Sequence, residues 1–322
     1  MMDSLASLKE KVLAGRQITR EEALALTETP LEELCAAADE IRRFFCGDKF
    51  DLCTIVNGKS GKCSENCKYC AQSASYHTAV ETYPLLDTEA LLEQAQYSQS
   101  RGVHRYSIVT SGRNLNAQEV SQACGSIRKI KESMDISICV SFGLLEEADF
   151  QKLRQAGASR VHNNLEASAG YFPQVCTTHT QQDKIRSIEA ARKAGMEVCS
   201  GGIMGLGESM EDRIDLAITL RELQIKSVPV NMLNPIPGTP YENNPRLTEE
   251  DMCRIVAIFR FLLPDAFIRL AGGRGLMDDQ GRRCFCSGAN AAITGDMLTT
   301  SGITIQRDLE FLKELGYQVQ MP

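Results

Sequence analysis

The 322-residue chain lacks several features that would assign it to a specialised class of protein. It has no tryptophan, no low-complexity tract or linker, and no apolar run near the roughly 18 residues that a membrane-spanning helix needs. It also has no basic block, since 35 lysines and arginines stand against 42 aspartates and glutamates, for a formal net charge of -7. The composition therefore argues against a disordered chain, a membrane protein and a nucleic-acid binder.

The N-terminal segment 1–17 has no apolar stretch long enough for a signal peptide, so we expect a cytoplasmic protein. Thiols stay reduced in that compartment, and disulfides are not expected there. The 13 cysteines are therefore the unusual part of the composition. They are either buried as small apolar side chains or used as metal ligands.

Hydrophobic periodicity divides the chain in two. Residues 1–47 have helical patterns, including a capping box formed by Thr19 and Glu22, and are predicted to be an N-terminal helical extension. Residues 48–322 alternate short β-rich runs with helical stretches, which predicts an α/β fold, a (β/α)8 barrel of the TIM type. An open doubly wound sheet is the alternative, but no GxGxxG follows the first strand. The predicted strands are 52–57, 105–111, 136–142, 160–166, 197–203, 227–233, 267–273 and 291–294.

The period of two within these strands predicts which side chains face the barrel axis. The interior of a purely structural barrel is filled mostly with branched apolar side chains, with a few tolerated polar ones. Here the predicted inward set is polar and rich in sulfur, which favours an internal reaction chamber. Its members are Ser107, Cys139, Arg160, His162, Asn164, Glu166, Cys199, Asn231 and Arg269.

A compact cysteine motif follows the first predicted strand. Residues 63–70 have the sequence CSENCKYC, in which Cys63, Cys67 and Cys70 form a C-x3-C-x2-C motif. Thiolates select zinc, Cu(I) or iron–sulfur clusters. A closed zinc site with His77 as the fourth ligand is one interpretation, although the spacing differs from the usual zinc patterns. The motif also falls at the carboxyl end of a strand, where barrel active sites lie, which favours a catalytic iron–sulfur cluster with one open iron.

This motif resembles the cluster-binding loop of the radical S-adenosylmethionine (SAM) superfamily, and longer strings resemble the biotin synthase family. The strings are CSENCKYCAQS, HNNLEAS, VCSGGIMGLGES, SVPVNMLNPIPGTP and IRLAGGR. The resemblance implies a homodimeric barrel that holds SAM and dethiobiotin between two iron–sulfur clusters. It implies that 5′-deoxyadenosyl radicals break two C–H bonds of dethiobiotin and that the auxiliary cluster donates the sulfur atom of biotin. It also implies an electron donor such as flavodoxin or ferredoxin.

The same resemblance implies roles for individual residues. Cys63, Cys67 and Cys70 would bind the [4Fe–4S] cluster that cleaves SAM. Lys184 stands where the family usually has an arginine near the SAM carboxylate. The residues implied to contact SAM are Tyr69, Asn164, Glu166, Lys184, Gly201 and Gly202, and those implied to contact substrate are Asn164 and Asn231. The residues that match catalytic ligands of the auxiliary cluster are Cys139, Cys199 and Arg269.

The chain departs from the common family pattern at this auxiliary cluster. Ser107 stands where the family has a fourth ligand, a cysteine, and a hydroxyl is a poor iron ligand beside thiolates. Cys286 is an additional thiol two residues after Cys284, unless it is only a small buried side chain. Arg269 would then be a charge partner of this cluster and not an iron ligand. Cys53 lies in the first predicted strand, and whether it faces the barrel axis or the helices is left open. We expect a four-iron cluster with an additional sulfide, in preference to [2Fe–2S], bound in the lower barrel by Cys139, Cys199, Cys284 and Cys286.

Two other functions remain open at this point. Another radical SAM enzyme of the same branch, such as a hydrogenase cofactor maturase or a methylornithine synthase, would share the barrel and the cysteine loop. It would not be expected to combine Cys139, Cys199 and Arg269 with the string NMLNPIPGTP. A non-enzymatic iron–sulfur scaffold or electron carrier would instead use a closed four-cysteine cluster and have no glycine-rich segment beside it.

Overall fold

A computed structural model describes residues 4–319 and confirms the predicted barrel. Its strands are β1 Lys49–Lys59, β2 Arg105–Thr110, β3 Ser137–Ser141, β4 Ala158–His162, β5 Glu197–Cys199, β6 Gly202–Met204, β7 Ser227–Met232, β8 Phe267–Leu270, β9 Ala291–Thr294 and β10 Gln318–Val319. Neighbouring strands are parallel, and β1 pairs with both β2 and β9, so the sheet closes on itself. The short β10 pairs with the first residues of β1.

Two predicted strands end differently in the structure. The predicted fourth strand ends at His162. It does not reach residue 166, where Glu166 has a φ of 70°, a left-handed conformation that is incompatible with a strand. The predicted fifth strand is divided into β5, which pairs with β4, and β6, which pairs with β7. Both interruptions lie at the carboxyl ends of the strands, so Asn164 and Glu166 are loop residues above the barrel wall.

Three helices precede β1, the others lie between or after later strands, and most begin at a side-chain cap. Their bounds are α1 Leu5–Leu13, α2 Arg20–Ala25, α3 Leu31–Cys46, α4 Thr88–Gln99, α5 Ala117–Ser133, α6 Glu147–Ala156, α7 Phe172–Val175, α8 Gln181–Lys193, α9 Met210–Glu222, α10 Glu249–Leu262, α11 Arg282–Phe285 and α12 Ile305–Glu314. The predicted capping box of Thr19 and Glu22 begins α2. Within residues 4–319, no helix has the length and apolar character needed to cross a membrane.

The helices of the N-terminal segment pack against the outer layer of the barrel. Arg20 of α2 pairs with Asp215 of α9 at 2.6 Å, and Arg254 of α10 donates to the carbonyls of Thr27 and Thr29. Because α3 covers its outer face, α10 is buried on almost all sides. The division of the chain at residue 47 into separate parts stays a prediction.

A fully buried arginine ties the end of α10 to the chain before β9. The Arg260 guanidinium donates to the carbonyls of Leu263, Pro264, Ala266 and Gly288 and to the Asn290 side chain, at 2.7–3.2 Å. None of these acceptors carries a full charge. Arg260 therefore supplies hydrogen-bond donors to carbonyls in turns that are not part of the β-sheet.

We predict that Arg260→Leu lowers the stability of the fold by at least about 3 kcal/mol, because several buried carbonyls lose their donor. Thermal and denaturant unfolding of the full chain measure this loss. Arg186→Leu is the matched control, since Arg186 is 63% exposed and has only a surface ion pair with Asp183. Equal unfolding midpoints for the two variants would contradict the assignment.

Candidate active site

The barrel contains a cavity of about 420 Å³, a volume typical of small-molecule sites. Its lining extends from the strands to the loops that follow their carboxyl ends. Most of the predicted site residues lie in this one chamber. They are Cys63, Cys67, Tyr69, Cys70, Cys139, Asn164, Glu166, Lys184, Cys199, Asn231 and Arg269.

The C-x3-C-x2-C motif lies in the loop after β1. The loop folds back on itself, because the Cys63 N–H donates to the Gln72 carbonyl and the Cys70 N–H donates to the Cys67 carbonyl, both at 3.0 Å. Burial raises the pKa of the Cys70 thiol to about 11. The three thiols are not gathered within 4.8 Å of one another, and His77 is exposed and outside the chamber. This spacing favours a cluster of several irons over the zinc site with His77.

Tyr69 and Glu166 meet on the chamber wall beside this loop. Burial, and then the charge of Glu166, raise the pKa of the Tyr69 hydroxyl well above its usual value, and the two side chains share a hydrogen bond. The Oε2 atom of Glu166 is buried without a hydrogen-bond partner. A buried, unpartnered carboxylate oxygen accepts hydroxyl donors such as those of a ribose, and Lys184 supplies a nearby cation for a carboxylate. The residues present therefore fit SAM.

Gly201 and Gly202 are required by strand packing and do not themselves line the chamber. A Cβ on Gly201 would lie 1.9 Å from the Pro229 carbonyl oxygen, and a Cβ on Gly202 would lie 2.5 Å from the Glu166 carbonyl oxygen. No side chain fits at either position. The two glycines let β6 lie close to its neighbours and so fix the backbone of Glu166.

The two predicted asparagines are partly occupied by backbone contacts. Asn164 accepts from the Gly201 N–H at 3.0 Å. Asn231 donates to the Gly202 carbonyl at 3.0 Å and accepts from the Gly272 N–H at 2.8 Å. Each amide therefore holds the barrel wall together and has part of its hydrogen-bonding capacity left for a ligand.

Three buried thiols, those of Cys53, Cys139 and Cys199, line the chamber at the level of the strands. Burial raises the pKa of Cys139 to about 12, with Ser107 hydrogen-bonded beside it. Burial alone would also raise the pKa of Cys199. The hydrogen bond with His162 and the neighbouring guanidiniums outweigh it and lower the pKa to about 6. The lower chamber thus has a thiol set of its own, with one member on the thiolate side.

A buried charge cluster lies next to these thiols. The Asp51 carboxylate pairs with Arg160 at 3.2 Å, with Arg105 at 3.5 Å and with Arg269. Arg269 also contacts the Cys53 sulfur at 3.2 Å. Burial raises the pKa of Asp51, but the three guanidiniums outweigh it and hold the pKa below its usual value. Glu197, whose side chain is 63% exposed, also pairs with Arg160, at 2.8 Å. Three guanidiniums therefore face two carboxylates, and the remaining positive charge suits an anionic, thiolate-bound group.

Cys53 is the chamber residue that the sequence analysis left open. Its strand begins at Lys49, three residues earlier than predicted, and its inward residues follow the alternation Asp51, Cys53, Ile55. The sequence did contain a signal for the side on which Cys53 lies. Asp51 stands two positions earlier in the same strand and so shares its face, and an aspartate that faces inward can pair with the inward arginines.

The structure does not bring Cys284 and Cys286 to the chamber, so the expected meeting of four thiols does not occur. Cys284 lies on α11, outside the barrel wall, with its sulfur 3.6 Å from that of Cys253 on α10. Cys286 is exposed, which also excludes the interpretation as a small buried side chain. The C-x-C segment lies between β8 and β9 and not in a strand, so the alternation of strand side chains does not predict which way it faces. In the structure it lies in the outer layer of the barrel.

Comparisons with known proteins agree with this architecture. Residues 59–220 match the Radical SAM superfamily, and residues 229–318 match the Biotin and Thiamin Synthesis associated domain. Among solved structures, a methylornithine synthase has a TM-score of 0.85 over 98% of both chains at 19% identity. The FeFe-hydrogenase maturase of Carboxydothermus hydrogenoformans has a TM-score of 0.81 at 17% identity, over 97% of this chain and 78% of its own. At these identities the likeness concerns the fold alone.

The fold, the cysteine loop and the family matches define a radical SAM enzyme with a (β/α)8 barrel. Two curated relatives narrow this class. A biotin synthase of Brachyspira hyodysenteriae is 60% identical over 99% of this chain and 96% of its own length. One from Akkermansia muciniphila is 59% identical over 99% of this chain and 100% of its own. The chain belongs to the biotin synthase family.

We predict that Gly201→Ala destabilises the barrel by about 2 kcal/mol or more, because the new methyl group collides with the Pro229 carbonyl. The thermal unfolding midpoint measures the effect. Gly125→Ala is the control, since this helical glycine has no atom within 4 Å of an added Cβ, and alanine there should be neutral or stabilising. A thermal unfolding midpoint of Gly201→Ala equal to that of the parent would show that the barrel wall can accommodate the methyl group.

Proposed function

We propose that this chain converts dethiobiotin to biotin by radical SAM sulfur insertion. The observation that carries the proposal is one chamber with two sets of three thiols. Cys63, Cys67 and Cys70 lie in the loop, and a second set lies among the strands. An electron carrier has no need of a cavity of about 420 Å³ between two such sets. The family membership at 59–60% identity supports the same reaction.

When bound, the [4Fe–4S] cluster and SAM supply a 5′-deoxyadenosyl radical that abstracts hydrogen from an unactivated carbon. The protein's own part is to hold and orient. The loop thiols bind the cluster, Glu166 accepts from the ribose of SAM, and Lys184 pairs with its carboxylate. The hydrogen-bonding capacity that Asn164 and Asn231 have left after their backbone contacts binds the cyclic urea of dethiobiotin. The barrel wall surrounds the chamber on its sides, which limits the access of water to a radical.

The direct test is an anaerobic assay with SAM, a reductant and dethiobiotin. We expect biotin, with two molecules of 5′-deoxyadenosine for each biotin, because two C–H bonds are broken. Cys67→Ala should form neither product, since the loop can no longer hold its cluster. 5′-Deoxyadenosine production that dethiobiotin does not change, without biotin, would instead support another radical SAM activity.

We further propose that the sulfur donor is a four-iron auxiliary cluster with an additional sulfide, held by Cys53, Cys139 and Cys199. Three thiolates leave one iron of such a cluster without a protein ligand, and the extra sulfide would occupy that position. The excess positive charge around Asp51 supports an anionic cluster here. Arg269 already donates to Asp51, Ala292 and Cys53, so it acts as a charge partner and not as an iron ligand.

We predict that Cys53→Ala loses about four irons per chain and all biotin formation but keeps SAM cleavage, because the loop cluster is intact. Iron and sulfide analysis, Mössbauer spectroscopy and the 5′-deoxyadenosine assay measure these three quantities. Cys286→Ala is the control: its side chain is exposed and outside the chamber, so iron content and biotin yield should be unchanged. The reverse pattern, with iron lost from Cys286→Ala and kept in Cys53→Ala, would restore the four-thiol site of Cys139, Cys199, Cys284 and Cys286.

The remaining parts of the proposal follow from family membership and from the redox chemistry. The chain works as a homodimer and takes electrons from a donor such as flavodoxin or ferredoxin. Its place is the cytoplasm, because 13 cysteines and reduced clusters require a reducing compartment. Analytical ultracentrifugation and reduction by purified flavodoxin or ferredoxin test the first two points.

A further inference from the structure

A third group of metal-ligating side chains combines Cys67 of the cysteine loop with two residues that have no role in the proposed reaction, Cys176 and His179. The sulfurs of Cys67 and Cys176 and a ring nitrogen of His179 all lie within 4.8 Å of one another. Cys176 and His179 belong to the segment between α7 and α8, and both are buried, with 2% and 8% of their surface exposed. Within residues 4–319, this is the one set of three such ligands so close together.

The histidine is held with one ring nitrogen toward Cys176. Its Nδ1 contacts both Cys176 Sγ and Glu65 Oε2, the latter at 2.5 Å, and Thr178 donates to the same carboxylate at 2.7 Å. Its Nε2 is buried without a hydrogen-bond partner. Because Glu65 and Cys176 contact the same ring nitrogen, the carboxylate fixes the ring with Nδ1 at the edge of the thiol pair.

The spacing of the group suits a single ion and not a cluster. Two sulfurs bound to one tetrahedral zinc lie about 3.8 Å apart, as Zn–S bonds of about 2.3 Å require. The contact between Cys176 Sγ and His179 Nδ1 is 3.3 Å. The three cysteines of the loop motif are more widely spaced, as several irons require. The two arrangements share Cys67 and are therefore mutually exclusive.

We propose that the chain, before its SAM-cleaving cluster is installed, binds one thiophilic divalent ion, preferentially Zn²⁺, through Cys67, Cys176 and His179. Zinc binds such N/S sites more tightly than ferrous iron does. The bound ion protects the thiol of Cys67 and must leave before this thiol can bind iron. The ion site itself does not depend on the proposed reaction; only its competition with the cluster rests on that proposal.

The test uses the cluster-free full chain under anaerobic conditions, with Co²⁺ as a spectroscopic probe and Zn²⁺ as the competitor. We expect one Co²⁺ per chain, with thiolate-to-cobalt charge-transfer absorption that Zn²⁺ abolishes. Cys176→Ala and His179→Ala should bind Co²⁺ at least about 100-fold more weakly. Cys70→Ala is the matched control, since it removes a cysteine of the loop motif but leaves the ion site complete. Circular dichroism confirms that each variant is folded.

Cluster reconstitution separates this proposal from the proposed function. Cys176→Ala should assemble the [4Fe–4S] cluster and cleave SAM whether or not Zn²⁺ is present, whereas Zn²⁺ should slow assembly in the parent chain. Cys70→Ala should bind Co²⁺ as the parent does but assemble no such cluster. Co²⁺ binding that survives in Cys176→Ala, or that is lost equally in Cys70→Ala, would overturn the ion site and leave the radical SAM assignment untouched.

Discussion

The carboxylate of Asp51 pairs with the guanidiniums of Arg105, Arg160 and Arg269 inside the barrel, and the chemistry of the lower chamber depends on this pairing. Buried cations are costly unless they are paired, and Asp51 together with Glu197, which pairs with Arg160, does not neutralise three of them. In the proposed auxiliary site, thiolates at Cys53, Cys139 and Cys199 would supply the missing negative charge. On that proposal, the buried charges are balanced only when a cluster is bound.

Above the lower chamber, backbone packing fixes the positions of the polar groups. Gly201 and Gly202 allow β6 to approach Pro229 and Glu166 closely. Glu166 is held with a φ of 70°, a conformation that costs energy for a residue with a side chain and persists only when its surroundings impose it. Its own backbone contacts impose it: the Glu166 N–H donates to the Gly201 carbonyl at 3.1 Å, and its carbonyl accepts from the Ile203 N–H at 2.9 Å. The carboxylate of Glu166 therefore points into the chamber before any ligand arrives.

The barrel and the cysteine loop were predictable because their signals are local: alternating β-rich and helical runs, and three cysteines within eight residues. The side on which Cys53 lies was not, because the start of β1 was misplaced. Cys284 and Cys286 were wrongly expected in the chamber, since nothing in a C-x-C segment shows on which side of a wall it lies. The contact between Glu65 and His179 joins residues 114 positions apart, and no local pattern reports such a contact.

The pairing of β1 with β9 and β10 has a consequence for how the protein is made. Asp51 lies opposite Ala291, and Lys49 lies opposite Gln318, so this end of the barrel is completed by segments that are synthesised long after β1. During synthesis, the N-terminal part folds first, and β1 waits with one unpaired edge. Such an edge is a template for pairing with other chains. The arginines and thiols of the lower chamber can therefore come together around Asp51 only after β9 has been synthesised and has paired with β1.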